Sequence, residues 1–155
     1  MQNLLSYLND SLLFRNFLEV ITGLDNTLLL LVISLPIGFV LSLLFALGRV
    51  SKNKFISKPI ASYIFVIRGT PLLVQIYLIY FGLGSIEFIR ESFLWYLLRE
   101  PFWCGVLALT INTVAYGSEI FRGGIQSVTK GQIESGLSLG FNNVALLRKI
   151  IFPIA

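Results

Sequence analysis

Residues 26–48 read NTLLLLVISLPIGFVLSLLFALG, 23 positions without one charged side chain. A helix rises about 1.5 Å per residue and the hydrocarbon core of a bilayer is about 30 Å thick, so this stretch crosses with some tilt to spare. Pro36 lies inside it and predicts a kink, which membrane helices tolerate because nearby groups take up the freed carbonyl. Gly38, Ser42 and Ala46 recur every fourth residue. They mark either a face on which another helix sits closely or a chance run in a leucine-rich helix.

The surrounding composition agrees with a membrane chain. Of 155 residues, 55% are hydrophobic and only 13% charged, against about 25% charged in an ordinary soluble domain. Histidine is absent and Cys104 is the single cysteine. The commonest general base and metal ligand is therefore missing, as is any intramolecular disulfide, and the expectation is a non-enzyme with no metal or cofactor of its own.

A second apolar stretch lies between Lys58 and Glu87, with Arg68, Gly69, Thr70 and Pro71 in its middle. An unbroken helix from Pro59 would carry Arg68 about 15 Å inward, a costly depth for a charge without a partner or water. The chain either kinks there or bends at 69–71, because the residue before proline avoids helical angles; the kinked helix, over 59–86, is the preferred reading. A third uncharged stretch occupies 101–118 and stops at Glu119. Between these spans the loop charges alternate: −2 over residues 1–25, +4 over 49–58, −1 over 84–100 and +2 over 119–155. The positive-inside rule places 49–58 and 119–155 in the cytoplasm and the N-terminus outside. Residues 1–23 lack the basic start of a signal peptide, and Leu4, Leu5, Leu8 and Leu12 share a helical face, predicting an interfacial amphipathic helix. The expected fold is an all-α membrane protein, one domain over 1–155, with three transmembrane helices and a cytoplasmic loop over 119–153.

Polar residues inside such spans carry the functional hypotheses. Asn112, Tyr116 and Glu119 fall on one helical face, and Arg68 and Gln75, seven apart, share another. They line a path for a zwitterionic or charged solute, or they tie helices together, Arg68 to Glu119 for example. The 130–153 stretch is punctuated differently. Ile133, Gly136, Leu137 and Gly140 form a narrow apolar stripe on a short helix that Gly140 can terminate in a left-handed conformation. Asn142 suits the cap of a second helix, with Phe141 and Leu146 as a hydrophobic staple. That helix ends in Arg148 and Lys149 ahead of Pro153. The pair is a stiff elbow that grips a soluble partner, or an interfacial pair resting on lipid headgroups. The glycines at 131 and 136 have phosphate-loop spacing, but Leu137 stands at the lysine position and no strand precedes it, so no nucleotide site is expected. Nucleic-acid binding is not expected either.

The same residues resemble the inner-membrane permeases of ABC importers. Glu134, Ser135, Gly136, Gly140, Ile150, Phe152 and Pro153 align with a loop pattern of Glu-Ala-Ala, three residues, Gly, nine residues, Ile, one residue, Leu-Pro. Glu134, Gly140, Ile150 and Pro153 match it; Ser135, Gly136 and Phe152 depart. RGTPLLVQ (68–75) and EIFRGGI (119–125) resemble the branch importing polar amino acids of the histidine, glutamine and arginine type. The resemblance implies a type I permease subunit that pairs with a homologous permease, receives substrate from an external binding protein, and is driven by separate ATPase subunits that hydrolyse the ATP. It also implies that Lys130, Gln132, Glu134, Gly136, Leu137, Gly140, Ile150 and Pro153 belong to an ATPase-coupling loop, with Glu134 and Gly140 weightier than Ser135. Glycine instead of alanine at 136 lowers helix propensity by about 1 kcal/mol. Family members continue with further spans beyond the proline, so the sequence reads as an incomplete permease fold. The alternatives are a truncated permease without transport, or a small adaptor that only binds the ATPase.

Overall fold

A computed structural model describes residues 12–154, and every regular element among them is helical. Helix α1 (Leu12–Thr22) runs into α2 (Leu24–Arg49) with only Gly23 between them. Bonds from Gly23 N to Glu19 O (3.2 Å) and from Thr27 N to Gly23 O (3.3 Å) carry the ladder across the junction. Residues 19–49 therefore form a longer apolar helix than the 26–48 stretch alone. Of the expected interfacial helix over 1–23, residues 1–11 lie outside the described residues. Helix α3 (Lys54–Arg68) is capped by the Asn53 side chain, which accepts from Phe55 N at 2.9 Å.

The chain then breaks, so the expected single kinked helix over 59–86 is instead two helices. Helix α4 (Leu72–Tyr77, continued by a π-helical turn Leu78–Gly82) leaves α3 at 106°. Pro71 is the cause: it stands at ψ 139° and has no N–H to give to the carbonyl of Ile67, which a continuing helix would pair with it. Two short helices follow, α5 (Glu87–Arg90) and α6 (Trp95–Leu98). Helix α7 (Pro101–Ser127) opens with proline at its first turn, where no N–H is needed. It runs past Glu119 to Ser127 instead of ending at 118, through the two glycines at 123 and 124, with no proline to stop it and Arg122 pairing with Glu119 one turn along. Helix α8 (Lys130–Ser138) and α9, made of Asn143–Leu146, the π-helical turn Leu147–Ile151 and Phe152–Ile154, complete the chain.

The core is the pairing of α2 with α7. Ser34, Gly38, Ser42 and Ala46, one every fourth residue of α2, are all buried, which makes the small-residue face a packing face and extends it one turn. A Cβ placed on Gly38 would lie 2.7 Å from Cβ of Thr113, and one on Gly117 would lie 2.9 Å from Cβ of Ser42. Between lipid-solvated helices no hydrophobic drive remains, so close van der Waals approach of this kind holds them together. The serine hydroxyls stay satisfied by bonding back along their own helix, Ser34 to Leu30 O at 2.6 Å and Ser42 to Phe39 O at 2.7 Å.

Leu30 meets Gly105, Gly38 meets Thr113 and Ser42 meets Gly117, at one constant separation in sequence. The two helices thus run parallel. Both α2 and α7 are long and apolar enough to span a bilayer. The bent pair α3–α4 is apolar enough to count as a third candidate span, broken in the middle. Tyr63 ties the pair to α7, donating its hydroxyl to Ile111 O at 2.6 Å.

Candidate functional site

Two polar clusters form where the bent pair meets α7. In the first, Gln75 is buried and its amide nitrogen donates to Ile67 O at 2.8 Å, to Thr70 O at 3.0 Å and to Thr70 Oγ1 at 3.0 Å. The side chain takes the place of the N–H that Pro71 lacks. Its Oε1 accepts from Asn112 Nδ2 at 3.3 Å, fastening the break to α7. Arg68 and Gln75 do not share a helical face, because the chain turns between them.

The second cluster gathers around Glu119, whose side chain is only 18% exposed. Arg122, one turn along the same helix, clasps both carboxylate oxygens from Nε at 3.0 Å and from Nη2 at 2.7 Å. Arg49 from the end of α2 approaches to 3.9 Å and Arg68 from the end of α3 to 4.0 Å. The expected pairing of Arg68 with Glu119 exists, but Arg122 holds the carboxylate more tightly. Arg68 also lies over the ring of Tyr116, 5.3 Å from its centroid, a favourable contact for a guanidinium on an aromatic face. Three guanidiniums face one carboxylate, so the cluster carries excess positive charge. It opens onto a cavity of about 820 Å³ lined by Arg49, Ser62, Arg68, Tyr116 and Glu119 among others. The Arg68 side chain, which lines it, is 45% exposed. Neither Arg49 nor Arg122 was singled out from sequence. The i, i+3 spacing of Glu119 and Arg122 is a readable signal for that pair; nothing local announces Arg49, which reaches the site through tertiary packing.

The caps and the Gly140 stop of the elbow are built as their punctuation predicts, but α9 does not end at Arg148 and Lys149: it runs on through Pro153 to Ile154. Thr129 and Gln132 form a reciprocal capping box: Thr129 Oγ1 accepts from Gln132 N at 3.4 Å, and Gln132 Oε1 accepts from Thr129 N at 3.0 Å. At the other end of α8, Gly140 takes φ +80°, Gly140 N donates to Leu137 O at 2.9 Å and Phe141 N to Gly136 O at 3.1 Å. These are the two bonds of a Schellman termination, which needs a left-handed residue at this position. Asn142 caps α9 by accepting from Ala145 N at 2.8 Å. Gly136 is buried, and a Cβ there would lie 2.4 Å from Ile150 Cδ1 and 2.9 Å from Leu146 Cδ2. The glycine is therefore an opening that admits two large side chains of α9, and its helix-propensity cost is exchanged for contact between α8 and α9. The apolar stripe divides: Gly136 faces inward, while Leu137 and Leu139 face out with Lys130 and Glu134. Pro153 lies exposed in the last turn of α9, which returns to α7.

A family model described as the binding-protein-dependent transport system inner membrane component matches residues 17–155. Among similar proteins are the nopaline transport system permease protein NocM of Agrobacterium fabrum, 47% identical over 93% of this chain and 60% of its own length. The histidine/lysine/arginine/ornithine transport system permease protein HisM of Escherichia coli K12 is 46% identical over 86% of this chain and 57% of its own. A solved structure titled as an amino acid ABC transporter with histidines superposes with a TM-score of 0.75 at 40% identity, over 94% of this chain and 64% of that one. The chain thus spans about three fifths of the length of the relatives it matches. It belongs to the family of binding-protein-dependent transport system inner membrane components.

Proposed function

We propose that the chain forms part of a permease subunit of an ATP-driven importer of polar amino acids. The observation that carries this reading is the 47% identity, spread over 93% of the chain, to a permease of a nopaline transport system, with similar identity to HisM. On this reading the partners are ABC ATPase subunits, a second homologous permease and an external substrate-binding protein, and ATP is bound and hydrolysed by the ATPase. The basic loop at 49–58 and the elbow face the cytoplasm, the N-terminus faces outward, and the membrane is the inner one.

Two sites have roles in this reading. Residues 130–153 are the coupling loop: Lys130, Glu134 and Leu137 present an exposed face to the ATPase, Gln132 and Gly140 stiffen α8, and Ile150 against Gly136 passes its displacement to α9. A ligand biases such a movement only by contacting its two states differently. The cavity beside Arg68, Tyr116 and Glu119 is the solute path, where excess guanidinium charge suits a carboxylate and the Glu119 carboxylate suits an ammonium. Gln75 and Asn112 act one step back, holding the break that positions Arg68.

The test is uptake of radiolabelled amino acids by proteoliposomes holding the chain, a homologous permease and the ATPase, with binding protein added. ATP-dependent uptake is expected. ATPase binding without uptake in the full assembly would replace transport by the adaptor reading, and neither binding nor uptake would overturn both. Glu119→Gln separates the roles of the cluster. Loss of folded protein is the expected result, since three guanidiniums would face an uncharged amide; normal abundance with altered substrate preference would assign Glu119 to solute contact alone.

A further inference from the structure

Between α4 and α7 lies a segment that none of the above uses. Residues 86–98 hold α5 and α6, and six of their apolar side chains are exposed: Phe88 is 83% and Phe93 88% exposed, and Ile86, Leu94, Tyr96 and Leu97 are exposed as well. Such a density of bare aromatic and aliphatic side chains is not expected in a loop bathed by water. The segment is nevertheless rich in charge, with Glu87, Arg90, Glu91, Arg99 and Glu100 among or beside those residues. Aromatic side chains interleaved with charges fit the headgroup layer, where rings sit below and charges stay wet.

Its location is fixed by contacts at both ends. The Trp95 ring lies against Gly84, where an added Cβ would sit 3.3 Å from it, fastening α6 to the end of α4. Leu98 O accepts a bond from Cys104 Sγ at 3.1 Å, fastening α6 to the first turn of α7. With α7 taken as a span starting at Pro101, the segment lies level with the membrane surface, at the end of the helix pair opposite Arg49. Its apolar side chains adjoin further exposed apolar residues of α4, where Tyr77, Leu78 and Phe81 are also bare.

We propose that residues 86–98 are an interfacial anchor, with Phe88, Phe93 and Tyr96 inserted among lipid headgroups and upper acyl chains. The occupant of this face is lipid. The anchor fixes the depth of the membrane end of α4, and so resists vertical displacement of the bent pair when the opposite face is moved.

The experiment places a nitroxide at Phe93→Cys, and separately at Phe88→Cys, in a Cys104→Ser background that leaves no other thiol. Each variant is reconstituted in phosphatidylethanolamine–phosphatidylglycerol vesicles. Collision with oxygen, which concentrates in lipid, is compared with collision with a water-soluble nickel chelate, and Lys52→Cys supplies the aqueous reference. The expected oxygen-to-nickel ratio is several-fold higher at 93 and 88 than at 52. A ratio equal to that at 52 would put the segment in water and overturn the proposal. Low collision with both reagents would mean cover by protein, and would overturn it equally. The readout needs neither ATPase nor transport, so its failure leaves the permease reading untouched.

Discussion

Replacing Gly136 by alanine sets two effects of similar size against each other. Alanine is favoured over glycine inside a helix by about 1 kcal/mol, so a helix judged alone gains stability. In the folded elbow the new methyl would lie 2.4 Å from Ile150 Cδ1 and 2.9 Å from Leu146 Cδ2. Both must turn away, and overpacking of this sort costs about 1–3 kcal/mol. The expected net change is a loss of about 0–2 kcal/mol, the difference of the two terms. A double-mutant cycle removes the ambiguity. Ile150→Val deletes the offending methyl, so Gly136→Ala should be better tolerated in that background by about 1 kcal/mol, the scale of coupling between touching residues. Hydrogen exchange of the α8 amides in reconstituted protein measures it, as a roughly fivefold smaller loss of protection in the double variant. Equal effects in both backgrounds, or greater protection from Gly136→Ala alone, would refute the claim that this glycine admits Ile150.

Gly140→Ala tests backbone alone, since nothing lies within 4 Å of an added Cβ while φ is +80°; a loss of about 1–2 kcal/mol, the cost of a left-handed residue with a side chain, should appear as faster exchange at the α8–α9 junction. Gly38→Ala should destabilise by about 1–3 kcal/mol, because its contact is the Cβ of Thr113, which cannot rotate away. The control is Gly123→Ala, with open space around it and an expected gain of up to about 1 kcal/mol; thermal unfolding in detergent compares the two. Gln75→Ala strands the carbonyl that Pro71 cannot serve, at about 1–3 kcal/mol. Gln75→Glu should cost no less when charged, since it turns acceptor against acceptor; limited proteolysis at 68–72 reads both.

What the sequence made legible was whatever depends on near neighbours. The charge-free run at 26–48, the small residues at every fourth position, Gly140 as a left-handed stop and Asn142 as a cap all follow from spacing, and each appears where the spacing puts it. The break at Pro71 was visible as a possibility, but its sharpness was not, because kinked and broken helices share the same local signals. Gln75 looked like part of a polar stripe until the turn showed its amide repairing the break. Gly136 read as a weakened helix because its compensation comes from Ile150 and Leu146, across a reversal of the chain. Arg49 reaches Glu119 only through the α2–α7 pairing, a contact no window of sequence contains.

That pairing also limits how the protein can move. Gly38 accepts Thr113 on one helix and Gly117 accepts Ser42 on the other, so each helix carries both a notch and a tooth. Sliding by less than a full turn, about 5.4 Å, would drive a tooth into the neighbouring backbone. Helices α2 and α7 are therefore keyed against sliding past one another along their shared length. The joint at Pro71, by contrast, has no such interlock and is closed by the amide of one glutamine.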